Sequence, residues 1–168
     1  MKLLVIAGML LMGVLPDMGS AQSNTPPCSS PEASQFDFWV GDWELTWNDT
    51  SKGYNSITKE FDGCVIHEHF SDSVNKYYGG SVSVYNPKKG VWEQTWIDNS
   101  GNYMVFEGRF ENGQMILGRS VLDTAGNSIQ QRMVFLNISS DSLDWRWESS
   151  ADGGTTWKEN WFIHYRRK

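Results

Sequence analysis

The sequence predicts an all-β protein, a closed antiparallel up-and-down β-barrel of about ten strands. Two observations predict it. From residue 42 onward, short runs of alternating apolar and polar residues follow one another, and turn-forming residues separate these runs at hairpin spacing. No convincing helix interrupts them. Because an open sheet of this many strands would expose two unpaired edges, closure into a barrel is the favoured arrangement.

The N-terminus carries the three parts of an export signal. Lys2 supplies the positive charge, residues 3–15 supply the apolar region, and residues 19–21 supply the small side chains of a cleavage site. The apolar region is shorter than the ~20 residues that span a bilayer. We therefore expect a signal peptide at residues 1–21, no membrane insertion after its removal, and a periplasmic or secreted protein.

A short arm precedes the barrel and carries one of the two cysteines. Residues 22–35 are rich in Pro and Ser and are predicted to be extended, ahead of a single barrel domain at residues 36–168. In an oxidising compartment, Cys28 and Cys64 are expected to form a disulfide that ties the arm to the third strand. Two distant cysteines are too few ligands for a structural zinc site.

A tryptophan-rich segment opens the barrel domain. Gly41 and Trp43 form the G-x-W pattern that begins the first strand of lipocalin-like (calycin) barrels, where a short helical turn, here residues 36–40, precedes the strand and closes the barrel floor. In those folds an arginine of the last strand packs across the tryptophan. Arg166 or Arg167 is placed to do so, and Arg166 is the one we assign.

Ten strands are predicted along the barrel domain. They lie at residues 42–47, 54–61, 64–70, 77–85, 91–97, 103–110, 114–122, 129–138, 143–149 and 156–166. Asp-Gly at residues 62–63 and Asn-Gly at residues 112–113 are strong hairpin signals between them. In the first strand, Trp43, Leu45 and Trp47 alternate with polar residues, so one face of the sheet is dry and the other is charged. A charged outer face suits water, which excludes an outer-membrane barrel.

A hairpin motif precedes the last strand. Residues 150–157 match the Asp-box pattern S-x-D-x-G-x-T-W at every defined position. The Asp152 carboxylate is expected to accept backbone N–H groups of the turn, Gly154 to take a positive φ, and Trp157 to staple the hairpin. By alternation, Trp157 should also share an inward face with Trp161. Sialidase propellers carry several copies and this chain carries one, so we interpret the motif as structural and not as a glycosidase signature.

The three histidines are candidate metal or haem ligands. His67, His69 and His164 alternate with apolar residues that are expected to face inward, which turns all three to solvent. Haem binding through His164 stays an alternative, because haem-binding relatives of this barrel type use a late histidine. The glycine-rich start G-x-W-x-G-x-G of those proteins is absent after Trp43. We expect no cofactor and no metal.

Three blocks of sequence together carry a resemblance. "FDFWVGDWEL", "YNPKKGVWEQTWID" and "WESSADGGTTWKENWFIHYRRK" are similar to the exported bacterial calycin-like proteins of unknown function that have an F-D-F-W-x-G-x-W start and a single C-terminal Asp-box. The resemblance covers residues 36–168. It implies a small barrel and export in many members, and it implies no established reaction.

Five residues are predicted to line the lumen above a floor that Trp39 and Trp43 plug. They are Trp47, Glu68, Gln94, Trp96 and Trp147. An aromatic wall with few polar groups is typical of a pocket that orients a small apolar or aromatic molecule. The sequence therefore favours an extracytoplasmic protein that binds such a molecule in the barrel mouth.

Two other hypotheses remain open from the sequence. A small barrel enzyme could use Glu68 as an acid or base, since a buried carboxylate with a raised pKa can take that role, and Glu159 also faces inward by alternation. Alternatively, bulky tryptophans could fill the lumen completely. The chain contains no nucleophile elbow, phosphate loop or protease triad signature, so binding is preferred to catalysis and no catalytic residue is assigned. A net charge of −6 without a basic cluster argues against a nucleic-acid partner.

Overall fold

A computed structural model describes residues 26–48 and 51–168 of the protein. The predicted signal peptide lies outside the described residues. The fold prediction is confirmed: ten antiparallel strands form a closed barrel in which each strand pairs with its neighbour in sequence and the last pairs with the first. This architecture is consistent with a calycin-like fold. Within the described ranges, no helix is long and apolar enough to cross a membrane.

The elements follow the predicted order. Two 3₁₀ turns, Pro31–Ser34 and Asp37–Trp39, precede strands β1 Gly41–Trp47, β2 Ser51–Glu60, β3 Val65–Asp72, β4 Tyr77–Asn86, β5 Val91–Asp98, β6 Tyr103–Glu111, β7 Gln114–Leu122, β8 Ser128–Leu136, β9 Ser142–Ser150 and β10 Lys158–Arg167. The second strand begins earlier than predicted, because Gly53 pairs with Leu45 instead of forming a turn. The arm is less extended than predicted: Ser30 caps the first 3₁₀ turn through a bond from the Ala33 N–H to its Oγ at 3.3 Å.

Aromatic side chains close one end of the barrel, which we call the floor. The Phe36 and Trp39 rings stack with centroids 5.0 Å apart, and Phe135 meets both edge-on at 5.1 and 5.0 Å. The Trp43 indole donates to the Trp39 carbonyl at 2.8 Å. Trp39 and Trp43 are each only 1% exposed. The floor is therefore a solid core of interlocking rings.

The arginine that packs across Trp43 is Arg167. Its guanidinium lies 4.1 Å above the Trp43 ring and donates to the Val40 carbonyl at 2.8 Å. The assignment of Arg166 to this role is wrong, because the β1–β10 register places Trp43 opposite Arg167, and directly opposed residues share a face. Arg166 lies on the outer face and pairs with Glu44. Gly41 is needed beside this contact: its φ is 133°, and a Cβ there would lie 2.2 Å from the Arg167 guanidinium.

The disulfide joins the arm to the floor end of the barrel. Cys28 and Cys64 are bonded, with Cα atoms 5.2 Å apart, as predicted. Cys64 immediately precedes β3, and Cys28 precedes the two 3₁₀ turns. The bond therefore fixes the segment that carries Phe36 and Trp39 against the barrel wall. A disulfide is compatible with an extracytoplasmic location.

A β-bulge in the last strand reverses the predicted alternation. The β9–β10 register shifts between Glu159 and Trp161, so that Trp161 faces Trp147 while Glu159 faces Glu148. The prediction that Trp157 and Glu159 share the inward face of Trp161 is wrong. Trp157 instead lies under the Arg132 guanidinium at 3.8 Å, outside the barrel, and Glu159 is an exposed ion-pair partner.

The turn between β9 and β10 is held by its own side chains. The Asp152 carboxylate accepts the Thr156 N–H at 2.9 Å and the hydroxyls of Ser150 and Thr156, each at 2.6 Å. The Trp157 indole donates to the carbonyl of Gly154 at 3.0 Å, and Gly154 has a φ of 92°. These bonds all lie within the hairpin, so they fix its shape and leave Asp152 no free oxygen directed at a substrate.

Candidate functional site

A cavity of about 290 Å³ lies inside the barrel, on the open side of the floor. Four of the five residues predicted to line the lumen do so, namely Glu68, Gln94, Trp96 and Trp147. Trp47 does not line it. Its ring meets Trp161 edge-on at 5.5 Å and lies 6.4 Å from Phe70, two residues that do line the cavity. Trp47 therefore supports the wall from behind.

The wall of the cavity is mostly aromatic. Phe106 meets Trp147 edge-to-face at 5.7 Å, and Trp145 meets Trp161 in the same way at 5.7 Å. Edge-to-face pairs hold each ring in one orientation and present flat apolar surface to the lumen. The surface suits a planar or hydrocarbon group.

Trp96 lies flat against strand β4 because the residue behind it is a glycine. A Cβ at Gly79 would come within 2.3 Å of the Trp96 ring. The Trp96 indole donates to Asp98 Oδ2 at 3.0 Å, and the Tyr77 hydroxyl donates to the same oxygen at 2.9 Å. Burial alone would raise the pKa of Asp98, but hydrogen bonds from Trp96, Asn102 and Tyr77 hold it below its usual range. An ionised Asp98 therefore fixes the ring that forms this side of the cavity.

Among the residues that the structure describes, Glu68 is the one carboxyl group that lines the cavity. Its two oxygens accept bonds from Ser81 Oγ at 2.5 Å and from Asn55 Nδ2 at 2.7 Å. Burial raises the pKa of Glu68 to about 7, although the bonds from Ser81 and Asn55 act in the opposite direction. Asn55 also donates to the Tyr165 hydroxyl at 3.2 Å. Glu68 is therefore anchored on the wall and is largely uncharged below neutral pH.

Gln94 offers a polar atom that the protein does not use. Its side chain is 2% exposed, and Nε2 donates to Ser83 Oγ at 2.9 Å. Oε1 has no hydrogen-bond partner among the described residues. Leaving a buried carbonyl unpaired costs about 1–3 kcal/mol. The amide is thus available to a molecule in the cavity.

Arg119 is a lining residue that the sequence reasoning missed. Its guanidinium lies 5.1 Å from the Phe106 ring centroid and 5.8 Å from that of Trp147. Nε donates to Gln131 Oε1 at 2.8 Å. The sequence contained a signal for this position, because Met115, Leu117 and Arg119 occupy alternate positions along β7 and therefore share a face. The structure fully buries Met115 and Leu117 on that face. The described lining of the cavity therefore holds the cation of Arg119 in addition to the carboxyl of Glu68.

The histidines lie on the outer face of the barrel. His67 Nδ1 is 3.1 Å from Glu60 Oε1, and His164 Nδ1 is 2.7 Å from Asp144 Oδ1. The rings of His67 and His69 are 4.3 Å apart. In the part of the chain that the structure describes, no group of three or more His, Cys, Asp or Glu side chains is arranged to hold a metal ion. His164 does not face the cavity, so the geometry gives haem binding through it no support.

Comparison with known proteins adds no assignment. A scan against protein-family models finds no matching model, and a search of the curated proteins finds no match.

Proposed function

We propose that this protein is an exported, calycin-like barrel that binds a small apolar or aromatic molecule in its cavity. The observation that carries the proposal is a space of about 290 Å³ with a mostly aromatic wall and few polar groups, each at a defined place. A cavity of ~150 Å³ holds benzene. In proportion, this one accommodates about a dozen non-hydrogen atoms, the size of a substituted naphthalene or indole.

The volume favours binding over a filled lumen. Packed protein interiors contain few voids larger than a water molecule, and a void costs stability because its lining loses contacts. In the floor, rings of the same kind interlock closely. The contrast within one barrel supports a cavity that is kept for a ligand.

Catalysis by Glu68 is the second candidate, and its raised pKa is the observation that favours it. A carboxyl that titrates near neutral pH can transfer protons. Both oxygens of Glu68 are, however, already bonded to Ser81 and Asn55. The two candidates differ in outcome: an enzyme turns its ligand over and loses turnover in Glu68→Gln, whereas a binding protein returns the ligand unchanged.

The proposal is tested by titrating the mature protein with 2-naphthamide, a neutral aromatic probe, while tryptophan fluorescence is recorded. We expect saturable quenching, since Trp96 and Trp147 line the cavity. Met133→Trp, which places a larger side chain in the cavity, should abolish binding with little loss of stability. Val82→Trp is the matched control, because Val82 is 45% exposed on the outer surface.

Two outcomes would count against the proposal. One is the absence of saturable binding by the native protein. The other is a Met133→Trp variant that is destabilised by about 1–3 kcal/mol, the usual result of overfilling a packed core. Native mass spectrometry of protein from its own host provides an independent check, since a retained small molecule should appear as an added mass.

A further inference from the structure

We infer that the ligand of this cavity is an acid, a small aromatic or apolar molecule whose carboxylate is bound by Arg119. The inference rests on the proposed function, because it names the chemical class of the molecule that the cavity takes.

The two terminal nitrogens of the Arg119 guanidinium make no hydrogen bond within the described residues. Its one hydrogen bond within the described ranges runs from Nε to the neutral amide oxygen of Gln131, at 2.8 Å. The two terminal nitrogens have no acceptor there, and none of the ion pairs among the described residues includes Arg119. These terminal N–H groups form the fork that binds a carboxylate through two parallel hydrogen bonds.

The other five arginines show how this chain normally treats a guanidinium. Arg132, Arg146 and Arg166 pair with glutamates. Arg109 and Arg167 donate to backbone carbonyls. Counting only acceptors among the described residues, Arg119 alone of the six bonds to neither kind. Its position in a cavity wall explains the exception if a bound molecule supplies the missing charge.

The surroundings of Arg119 make an unpaired charge costly. The guanidinium is partly buried and lies over the rings of Phe106 and Trp147, which exclude water from one side. Burial lowers the pKa of Arg119, yet a guanidinium stays charged at neutral pH. A partly desolvated cation without a counter-charge is unfavourable, and an anionic ligand removes that cost.

The aromatic rings and the amide of Gln94 fit the rest of such a molecule. The β5–β6 register places Gln94 opposite Phe106, the ring that Arg119 covers. A planar acid lying along Phe106 would thus place its carboxylate at the guanidinium, and a hydroxyl or N–H group at its other edge would donate to the unpaired Gln94 Oε1. Glu68 is an acidic residue of the same lining, but it is largely neutral below about pH 7. It therefore does not repel a carboxylate at that pH.

The test compares two probes of the same size and shape. The mature protein is titrated by calorimetry at about pH 6 with 2-naphthoate and with 2-naphthamide, which differ in charge. A charge-assisted bidentate contact predicts that the native protein binds the naphthoate at least about tenfold more tightly. Arg119→Met should remove the preference while retaining naphthamide binding. Arg109→Met, at an arginine that bonds to backbone carbonyls outside the cavity, should leave the preference unchanged.

The outcomes separate this inference from the proposed function. Equal affinity of the native protein for the two probes would overturn the inference and leave the binding function standing. A preference that persists in Arg119→Met would also overturn it. Binding of neither probe would overturn both. The comparison in the native protein needs no variant, so a poorly folded Arg119→Met protein would not prevent a decision.

Discussion

The floor and the open half of this barrel are built from the same kinds of residue and differ in how those residues meet. In the floor, Trp43 is 1% exposed, donates its indole hydrogen to a carbonyl and lies under a guanidinium. In the open half, Trp147 and Phe106 stand around a cavity of about 290 Å³. Aromatic content alone therefore does not distinguish a plug from a pocket. The difference lies in how closely the rings interdigitate.

The largest expected effect is in the floor. Trp43→Ala should lower the free energy of unfolding by about 5 kcal/mol, the upper end of the range for buried aromatics, because it leaves a cavity and removes the contacts to Trp39 and Arg167. Urea denaturation measures it. Trp157→Ala is the control, since Trp157 lies on the outer surface, and it should cost less than half as much. Similar losses in the two variants would contradict the distinction.

The disulfide at the floor end of the barrel should contribute almost as much to the free energy of unfolding as Trp43. Cys28 and Cys64 are 36 residues apart, and closing a loop of that length stabilises a fold by about 4 kcal/mol in the chain-entropy model. Reduction should therefore lower the urea concentration at the unfolding midpoint by that free energy divided by the m-value. The double variant Cys28→Ser, Cys64→Ser should show the lower midpoint in both oxidising and reducing buffer. A midpoint unaffected by reductant in the native protein would show that the floor does not depend on the arm.

The sequence predicts those features of the fold that depend on neighbouring residues, and it predicts poorly those that depend on residues far apart in the chain. Alternation and turn residues are local, and they predicted the barrel, the strand order and the inward position of Glu68. Register is not local: Arg167 packs on Trp43 because of the β1–β10 pairing, and one bulge near Glu159 moves Trp157 outside.

The lining of the cavity is harder to predict from the sequence than the strand register. Trp47 and Trp147 both face inward, yet only Trp147 lines the cavity, because Phe70 and Trp161 stand between Trp47 and the lumen. Volumes of side chains from several strands decide such a result together. Arg119 is different, since the alternation along its strand did contain the information. A charged residue on an otherwise apolar strand face is a signal for a lining residue, and attention to aromatic residues alone overlooks it.

Glu68 provides a smaller effect, and one that depends on pH. Its pKa is raised from 4.5 to about 7 in the folded protein, so the folded state keeps a proton that the unfolded state has lost between these two values. Stability from this group is full below about pH 4.5, falls as the pH rises to about 7, and is then constant. The total is about 3 kcal/mol. Glu68→Gln should remove this slope and be more stable than the native protein at about pH 8.

The measurement for Glu68 is the free energy of unfolding at several pH values for both proteins. At about pH 4.5 the two should differ little, which provides an internal control for the lost hydrogen bonds to Ser81 and Asn55. Glu93→Gln is a second control, because Glu93 lies at the surface and pairs with Lys89. Parallel pH profiles for the native protein and Glu68→Gln would mean that folding does not raise the pKa of Glu68.

The smallest stability effect is expected at Trp96, where the effect on binding should be large. Its ring faces the cavity on one side and lies against Gly79 on the other, so its removal enlarges an existing space instead of opening a new one in a close-packed core. Trp96→Ala should therefore cost about 1–2 kcal/mol, less than half the loss at Trp43, while 2-naphthamide binding weakens about tenfold or more. Urea denaturation and fluorescence titration of the same samples measure both quantities. If the lumen were filled, the stability loss at Trp96 would instead reach the 3–5 kcal/mol typical of buried aromatics, and the native protein would bind no probe.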